Sequence, residues 1–125
     1  MDVTPRVPAG RQVINAYGNG GFRIAGTAWS GSVLVFPGRT LGWPIRQMSE
    51  LDFAAFAEVT TAEPRVEILL LGCGPSLQFL PRALRAELRQ AGLVVDCMDS
   101  GAACRTFNVL LAEERRIAAA LIAID

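Results

Sequence analysis

The second half of the chain alternates continuous apolar runs with apolar residues at helical spacing. Residues 66–71 form a nearly continuous apolar run bounded by Gly72, which is typical of a central strand covered on both faces. The segment that follows has apolar residues three or four positions apart and ends at Gly92; these residues are Leu80, Leu84, Leu88 and Ala91. A second run, residues 93–98, predicts the next strand. Together the three segments predict a β-α-β unit over residues 66–98.

The C-terminal quarter predicts one further helix and one further strand. Cys104, Phe107 and Leu111 lie three to four positions apart within residues 102–114, which predicts an amphipathic helix. Residues 117–124 are apolar throughout, and their alanines favour a helix whereas their isoleucines favour a strand. We predict a strand, because a sheet core preceded by helices needs another buried strand.

The first half of the chain has the rhythm of strands and tight turns. Residues 1–11 contain two prolines and a glycine and are expected to form an irregular lead-in. Glycines then separate three short β-favouring runs, which are residues 13–17, 22–24 and 32–36.

A proline-rich loop and a helix are expected to join the two halves. Residues 37–44 contain two prolines and two glycines, so we interpret them as a loop without regular structure. Ser49 is a potential helix N-cap with Asp52 three residues later, a variant of the capping box. The apolar spacing after it predicts a helix of about three turns that ends near Thr60.

Composition limits the chain to a folded domain without several common kinds of catalysis. The 125 residues are 51% hydrophobic and 19% charged, which suits one domain with its own core over residues 1–125 and excludes intrinsic disorder. Twelve basic residues, all arginine, balance twelve acids, so no broad positive field favours nucleic acid as a partner. The absence of histidine and lysine excludes imidazole catalysis, Schiff-base lysines and histidine-ligated metals.

Cysteine usage and the apolar runs bear on compartment. The chain has an odd number of cysteines, which are Cys73, Cys97 and Cys104, and they lack CxxC spacing. We therefore expect reduced thiols in the cytoplasm, with neither a disulfide framework nor a metal site. The first twelve residues lack the apolar stretch of a signal peptide. The apolar run of residues 117–124 is too short for a membrane helix, which needs about 20 residues, so no membrane span is predicted.

The turn after the first buried strand is the best candidate for an anion site. Gly72, Gly74 and Ser76 end the strand before a helix, where small residues let a ligand approach backbone N–H groups. A dinucleotide fingerprint is incomplete, because its third glycine is replaced by Leu77 and Pro75 lacks an N–H. The alternative interpretation, a purely structural strand-to-helix turn, is favoured over a dinucleotide site, and no cofactor is predicted.

A second candidate segment begins after the strand of residues 93–98. Ser100, Gly101 and Arg105 follow that strand, so we expect them near the first turn, at the carboxyl ends of neighbouring strands. Cys104 lies near a predicted helix N-terminus beside Arg105, which is compatible with a reactive thiol, but it also lies on the apolar stripe, which favours a packing role. Asn108 is a polar residue in an otherwise apolar helix and either satisfies backbone groups or lines a small pocket.

The same segments carry a resemblance to a known family. Residues 69–74, 79–81 and 98–113 resemble the small bacterial relatives of mitochondrial respiratory complex I assembly factor 3, a family that also contains an adipogenesis-associated animal protein. The resemblance extends from about Val13 to Ile124. The family's signature residues correspond here to Gly72, Gly74, Asp99, Gly101, Ala102, Ala103, Cys104, Arg105 and Asn108.

This resemblance implies a fold and a role. The implied fold is a three-layer β+α/β/α domain, with a central mixed sheet and an additional β layer from the N-terminal half, and it is not a Rossmann fold. The implied role is a non-catalytic one in which the protein docks to other proteins, namely respiratory-complex subunits, during assembly. The alternative hypothesis is a small-anion or metabolite binding domain, or an enzyme, with its site between residues 72–76 and 100–105, at which Arg105 pairs with the anion.

Overall fold

The computed structural model describes residues 10–125, which form two β-sheets, three α-helices and two 3₁₀ segments. The first sheet is antiparallel and contains β1 (Ile14–Gly18), β2 (Gly21–Ile24) and β3 (Thr27–Ser30). The second contains β4 (Val33–Phe36), β5 (Arg39–Gly42), β6 (Ile68–Gly72), β7 (Val94–Met98) and β8 (Ile117–Leu121), in the spatial order β5-β4-β8-β6-β7. The helices are α1 (Ala57–Thr60), α2 (Arg82–Gln90) and α3 (Ser100–Ala112).

The five-stranded sheet is mixed. Strands β8, β6 and β7 are parallel, whereas β4 pairs antiparallel with both β8 and β5. The chain moves from β6 to β7 through α2 and then back past β6 to β8 through α3. Because these two crossovers run in opposite directions along the sheet, the right-handed rule requires their helices to lie on opposite faces, and they do.

Two hydrophobic clusters fill the two faces of this sheet. Side chains of successive strand residues point to opposite faces, so Leu69 and Leu71 pack with α2 while Leu70 packs with α3. The small side chains of β8 divide in the same way, Ala118 and Ala120 on one face and Ala119 on the other. This arrangement explains why the run of residues 66–71 is apolar almost throughout.

The three-stranded sheet covers the same face as α3. Phe22 and Ile24 of β2 lie in one cluster with Val35 of β4 and Phe107 of α3. The layers are therefore α2 with the 3₁₀ segments, the mixed sheet, and α3 with the three-stranded sheet. This architecture confirms the predicted three-layer mixed α/β fold with an additional N-terminal β layer.

Two predictions in the first half were wrong in detail. Residues 37–44 are not an irregular loop, since β5 pairs antiparallel with β4 through a turn at Pro37 and Gly38. The two prolines flank β5 and remove no hydrogen bond from it, which is why the strand forms between them. β3 was also missed, because its side chains are mostly exposed and therefore give no apolar pattern.

The helix predicted from Ser49 to Thr60 is broken. The chain forms 3₁₀ segments at Met48–Glu50 and Phe53–Phe56 and then the single turn of α1. Leu51 and Asp52 have extended backbones between the two segments, and the Asp52 carboxylate accepts a hydrogen bond from the Ala55 N–H at 2.9 Å. The N-cap is therefore Asp52 and not Ser49.

The C-terminal predictions hold, with shifted boundaries. α3 begins at Ser100, because the Asp99 side chain caps it by accepting from the Ala102 N–H at 2.8 Å. The strand predicted within residues 117–124 is β8. The predicted irregular lead-in lies almost wholly outside the described residues. Within residues 10–125, the helices are too short and too polar to cross a bilayer.

Candidate functional site

Ser100 is the buried centre of the predicted site. Its hydroxyl donates a hydrogen bond to the Ile122 carbonyl at 2.6 Å and accepts one from the Gly74 N–H at 2.9 Å. Its backbone N–H also donates to the Gly74 carbonyl at 2.8 Å. Ser100 therefore joins the turn after β6, the start of α3 and the segment after β8, as the predicted proximity of residues 72–76 and 100–105 requires.

Two glycines allow this close approach. A Cβ on Gly72 would lie 2.9 Å from the Ser100 hydroxyl and 3.0 Å from its Cα, so a larger residue would push α3 away from the sheet. Gly74 has φ +96°, a left-handed backbone that side chains rarely adopt. The close approach at Gly72 and the backbone conformation of Gly74 give a structural reason for glycine at these two signature positions.

Most backbone donors that an anion would use at this turn already have protein partners. The Cys73 N–H donates to the Met98 carbonyl at 2.8 Å, and the Gly74 N–H is used by Ser100. Pro75 has no N–H, and the Asp99 carboxylate occupies the N-terminus of α3. Ser76 is exposed on the loop beyond. An anion at this turn would therefore have to bind backbone N–H groups after Pro75. The ligand site remains a prediction.

Arg105 is directed toward the three-stranded sheet. Its guanidinium donates to the Tyr17 hydroxyl at 3.3 Å. The Tyr17 ring lies over Gly101, where a Cβ would come 2.5 Å from the tyrosine oxygen. Within residues 10–125, Arg105 makes no hydrogen bond to the turn of residues 72–76. Sequence reasoning missed Tyr17, since nothing in the sequence links a residue of β1 to a helix more than 80 positions later.

Asn108 binds the backbone of the edge strand β1. Its side-chain oxygen accepts from the Ile14 N–H at 2.9 Å, and its side-chain nitrogen donates to the Ile14 carbonyl at 2.8 Å. The side-chain amide thus forms the two hydrogen bonds with Ile14 that a residue of a neighbouring strand would form. Of the two interpretations of Asn108, the geometry supports the one in which it satisfies backbone groups.

Burial opposes the reactive-thiol interpretation of Cys104. The side chain is buried in the cluster between α3 and the sheet, and this burial raises the pKa of Cys104 to about 12, against a smaller lowering by Arg105. The thiol therefore stays protonated and enclosed at neutral pH. These observations favour the packing interpretation.

Cys73, at the turn itself, has the opposite electrostatic environment. A side-chain hydrogen bond from Cys97 lowers the pKa of Cys73 to about 6 although burial opposes the change. The same hydrogen bond, together with burial, raises the pKa of Cys97. The Cys73 sulfur lies 3.2 Å from the Gln78 carbonyl oxygen, to which the thiol donates when it is protonated. The sequence favoured Cys104 as the candidate reactive thiol. The contact between Cys73 and Cys97 depends on the pairing of β6 with β7, which leaves no signal in the sequence close to either cysteine.

The loop between β6 and α2 exposes two large apolar side chains. Leu77 is 50% exposed and Phe79 is 67% exposed. The buried side chains of Cys73 and Leu80 hold the loop on either side of Phe79. Phe79 is therefore presented to solvent from a fixed position next to the turn of residues 72–76, which we call the signature turn.

Comparison with known proteins gives relatives along nearly the whole chain. A Rhodobacter capsulatus protein described as uncharacterised is 35% identical over 96% of this chain and 93% of its own length. NADH dehydrogenase [ubiquinone] 1 alpha subcomplex assembly factor 3 of Danio rerio is 36% identical over 88% of this chain and 63% of its own length. The human protein of that name is 32% identical over 98% of this chain and 66% of its own length. The chain thus spans a little under two thirds of the length of these animal relatives.

Solved structures share the fold. A Bartonella henselae protein described as an outer membrane protein is 40% identical, with a TM-score of 0.85 over 93% of this chain and 98% of that chain. The Rpa2829 protein of Rhodopseudomonas palustris is 36% identical, with a TM-score of 0.80 over 98% of this chain and 93% of that chain. A Bordetella pertussis protein described as a Mth938-like domain also has a TM-score of 0.80, at 25% identity over 98% of this chain and 92% of that chain.

The family model that matches covers residues 14–122, from the first residue of β1 to the residue after β8. This span includes both sheets, the Ser100 contacts and every signature residue. Relatives that are more than 30% identical, among them the assembly factor 3 proteins of animals, agree with this match along the same part of the chain. The chain therefore belongs to the family described as protein of unknown function (DUF498/DUF598).

Proposed function

We propose that this protein is a non-catalytic assembly protein of the cytoplasm that docks to subunits of a respiratory NADH dehydrogenase. The observation that carries the proposal is the 36% identity, over 88% of this chain, to a protein named as an assembly factor of that enzyme. An assembly protein needs an accessible surface and no catalytic group.

The loop between β6 and α2 is the docking surface that best fits this role. Exposed aromatic side chains dominate the free energy of many protein interfaces, since they bury a large area at low cost in conformational entropy. Phe79 and Leu77 provide such area beside the signature turn. Because Cys73 and Leu80 are buried on either side of the loop, less conformational entropy is lost when a partner binds.

Reciprocal co-purification from the native host tests the proposed partner. The protein, tagged at its own locus, is expected to recover NADH dehydrogenase subunits, and a tagged subunit is expected to recover the protein. Phe79→Ser should reduce the recovery severalfold, since a well-packed interfacial aromatic contributes about 2 kcal/mol or more.

A control separates docking from stability. Val94 is 51% exposed at the opposite end of the parallel strands, so Val94→Thr changes a similarly exposed apolar residue without altering the proposed surface. Recovery that is equal for both variants, or absent for the parent protein, would contradict the proposal.

The predicted small-anion site at residues 72–76 and 100–105 is a separate hypothesis. A thermal-shift screen against nucleotides, phosphates and carboxylates tests it, because ligands that bind the native state raise the melting temperature. The hypothesis requires a shift that Arg105→Ala abolishes. A shift that persists in that variant would remove the basis for the site.

A further inference from the structure

A cleft of about 480 Å³ lies at the amino ends of the parallel strands, opposite the signature turn. Four segments that are distant in sequence surround it: the β4–β5 turn, the connection between α1 and β6, the connection between α3 and β8, and the chain just before β1. This volume falls within the range of about 300–1,000 Å³ typical of small-molecule sites.

The cleft concentrates positive charge. Among residues 10–125, five arginines and only two carboxylates, Glu63 and Glu114, line it, although the chain has no net charge. The five are Arg11, Arg39, Arg65, Arg115 and Arg116. A concave surface with one dominant sign of charge focuses the electrostatic potential and attracts ions of the opposite sign.

Ion pairs within the described residues do not neutralise this charge. Across residues 10–125, one ion pair lies within 4 Å, between Arg115 and Glu113 at 3.9 Å, and both side chains are about half exposed. Such a pair is weak. The Arg65 guanidinium lies beside Gly92, which does not line the cleft, so within the described residues the arginines available to an anionic ligand are Arg11, Arg39, Arg115 and Arg116.

The floor of the cleft is apolar and rigid. Phe36 and Val66 belong to the hydrophobic cluster on the α2 face, and Leu111 and Ile117 belong to the cluster on the α3 face. The Arg39 guanidinium carbon lies 4.7 Å from the centre of the Phe36 ring, a cation–π contact that orients it. An apolar floor with guanidinium groups at its rim suits a ligand that has an apolar body and several anionic groups.

The backbone around Arg116 fixes part of this rim. The Arg116 carbonyl accepts hydrogen bonds from the N–H groups of Glu67 and Ile68, at 3.0 and 3.3 Å. These bonds join the start of β8 to the start of β6. Arg116 therefore projects from an ordered position and loses little backbone entropy when a ligand binds.

We propose that this arginine cleft binds a small organic anion that carries at least two phosphate or carboxylate groups. Guanidinium groups bind both oxyanions through paired hydrogen bonds, and several of them around one cavity select ligands with more than one anionic group. The proposal is independent of the assembly role, because the cleft and the loop of Phe79 lie at opposite ends of the sheet.

Calorimetric titration at low ionic strength tests the cleft with four probes: inorganic pyrophosphate, citrate, inorganic phosphate and 1-naphthyl phosphate. Pyrophosphate or citrate, which carry more than one anionic group, is expected to bind saturably with a dissociation constant in the millimolar range or below, and added salt is expected to weaken this binding. Comparison of pyrophosphate with citrate separates phosphate from carboxylate recognition. Tighter binding of naphthyl phosphate than of inorganic phosphate would reveal the contribution of the apolar floor.

Matched arginine variants locate the site. The double variant Arg39→Gln with Arg116→Gln is expected to weaken binding at least about tenfold, because two charge-assisted contacts are lost. Arg82→Gln with Arg85→Gln, an equal change of two exposed arginines on α2 that do not line the cleft, should leave binding within about twofold. The proposal is overturned if neither pyrophosphate nor citrate binds saturably, or if the α2 variant weakens binding as much as the cleft variant does.

Discussion

Ser100 has two side-chain hydrogen bonds that connect three separate segments of the chain. Replacing it with alanine would leave the Gly74 N–H and the Ile122 carbonyl unpaired in a buried position. Each unsatisfied buried group costs about 1–3 kcal/mol.

We therefore expect Ser100→Ala to lower the free energy of unfolding by about 2–3 kcal/mol, measured by urea denaturation. Ser76→Ala, in the exposed part of the same site, is the control and should change it by less than about 0.5 kcal/mol. Equal stabilities of the two variants would show that the hydroxyl does not hold these segments together.

The shifted pKa values of the three cysteines make the free energy of unfolding depend on pH near and above neutrality. The pKa of Cys73 is about 6 in the folded protein and 9.0 ordinarily, so its contribution is present above pH 9 and is lost as the pH falls through 6. The pKa of Cys104 is raised to about 12, so its contribution is complete below pH 9 and is lost as the pH rises toward 12. The raised pKa of Cys97 acts in the same direction as that of Cys104.

These shifts predict that the free energy of unfolding is greatest near pH 9. Urea denaturation at a series of pH values should show a rise from about pH 6 and a fall above about pH 9. Cys73→Ala should flatten the rise, and Cys104→Ala should reduce the fall. Leu111→Ala creates a cavity in the same cluster as Cys104 and should lower stability without changing either slope. Unchanged slopes in both cysteine variants would contradict these pKa shifts.

At the scale of elements, the attachment of β1 to α3 depends on Asn108. β1 is an edge strand of a three-stranded sheet, and its pairing with β2 is irregular between Ile14 and Ala16. The Asn108 amide satisfies both backbone groups of Ile14 next to this irregularity.

Asn108→Leu should destabilise the protein by about 2 kcal/mol and selectively increase hydrogen exchange in β1, because both bonds to Ile14 are lost. Exchange measured by NMR or mass spectrometry gives this local readout. Thr106→Val serves as the control, since Thr106 makes no side-chain hydrogen bond within residues 10–125. Exchange in β1 that is unchanged by Asn108→Leu would show that the amide does not anchor the strand.

The elements differ in how far the sequence could predict them. The run of residues 66–71 identifies a central strand because helices cover both faces of β6, so nearly every position must be apolar. The spacing after Ser49 fits a helix equally well, yet the extended backbones of Leu51 and Asp52 interrupt it. Periodicity records which side chains are buried but not whether the backbone between them stays helical.

The candidate site was predictable only in part. Both chain segments could be placed at neighbouring strand ends, and the structure brings Ser100 against Gly74. The roles of individual side chains could not be predicted, since Asn108 and Arg105 find their partners Ile14 and Tyr17 in a distant β-sheet. Such contacts depend on how the sheets pack.

At the scale of the whole molecule, the two ends of the parallel strands have different surfaces. One end presents Phe79 and Leu77 on a loop held by buried residues on either side. The other end gathers five arginines from four segments around an apolar floor. The balanced total charge conceals this separation, which is why composition did not favour an anionic partner.

The amount of fully assembled NADH dehydrogenase in the native host tests the proposed role most directly. Deletion of the gene is expected to reduce the assembled enzyme on native gels. The parent protein and Val94→Thr should restore it, whereas Phe79→Ser should not, although that variant accumulates to the same level. An unchanged amount of assembled enzyme after deletion would contradict the account.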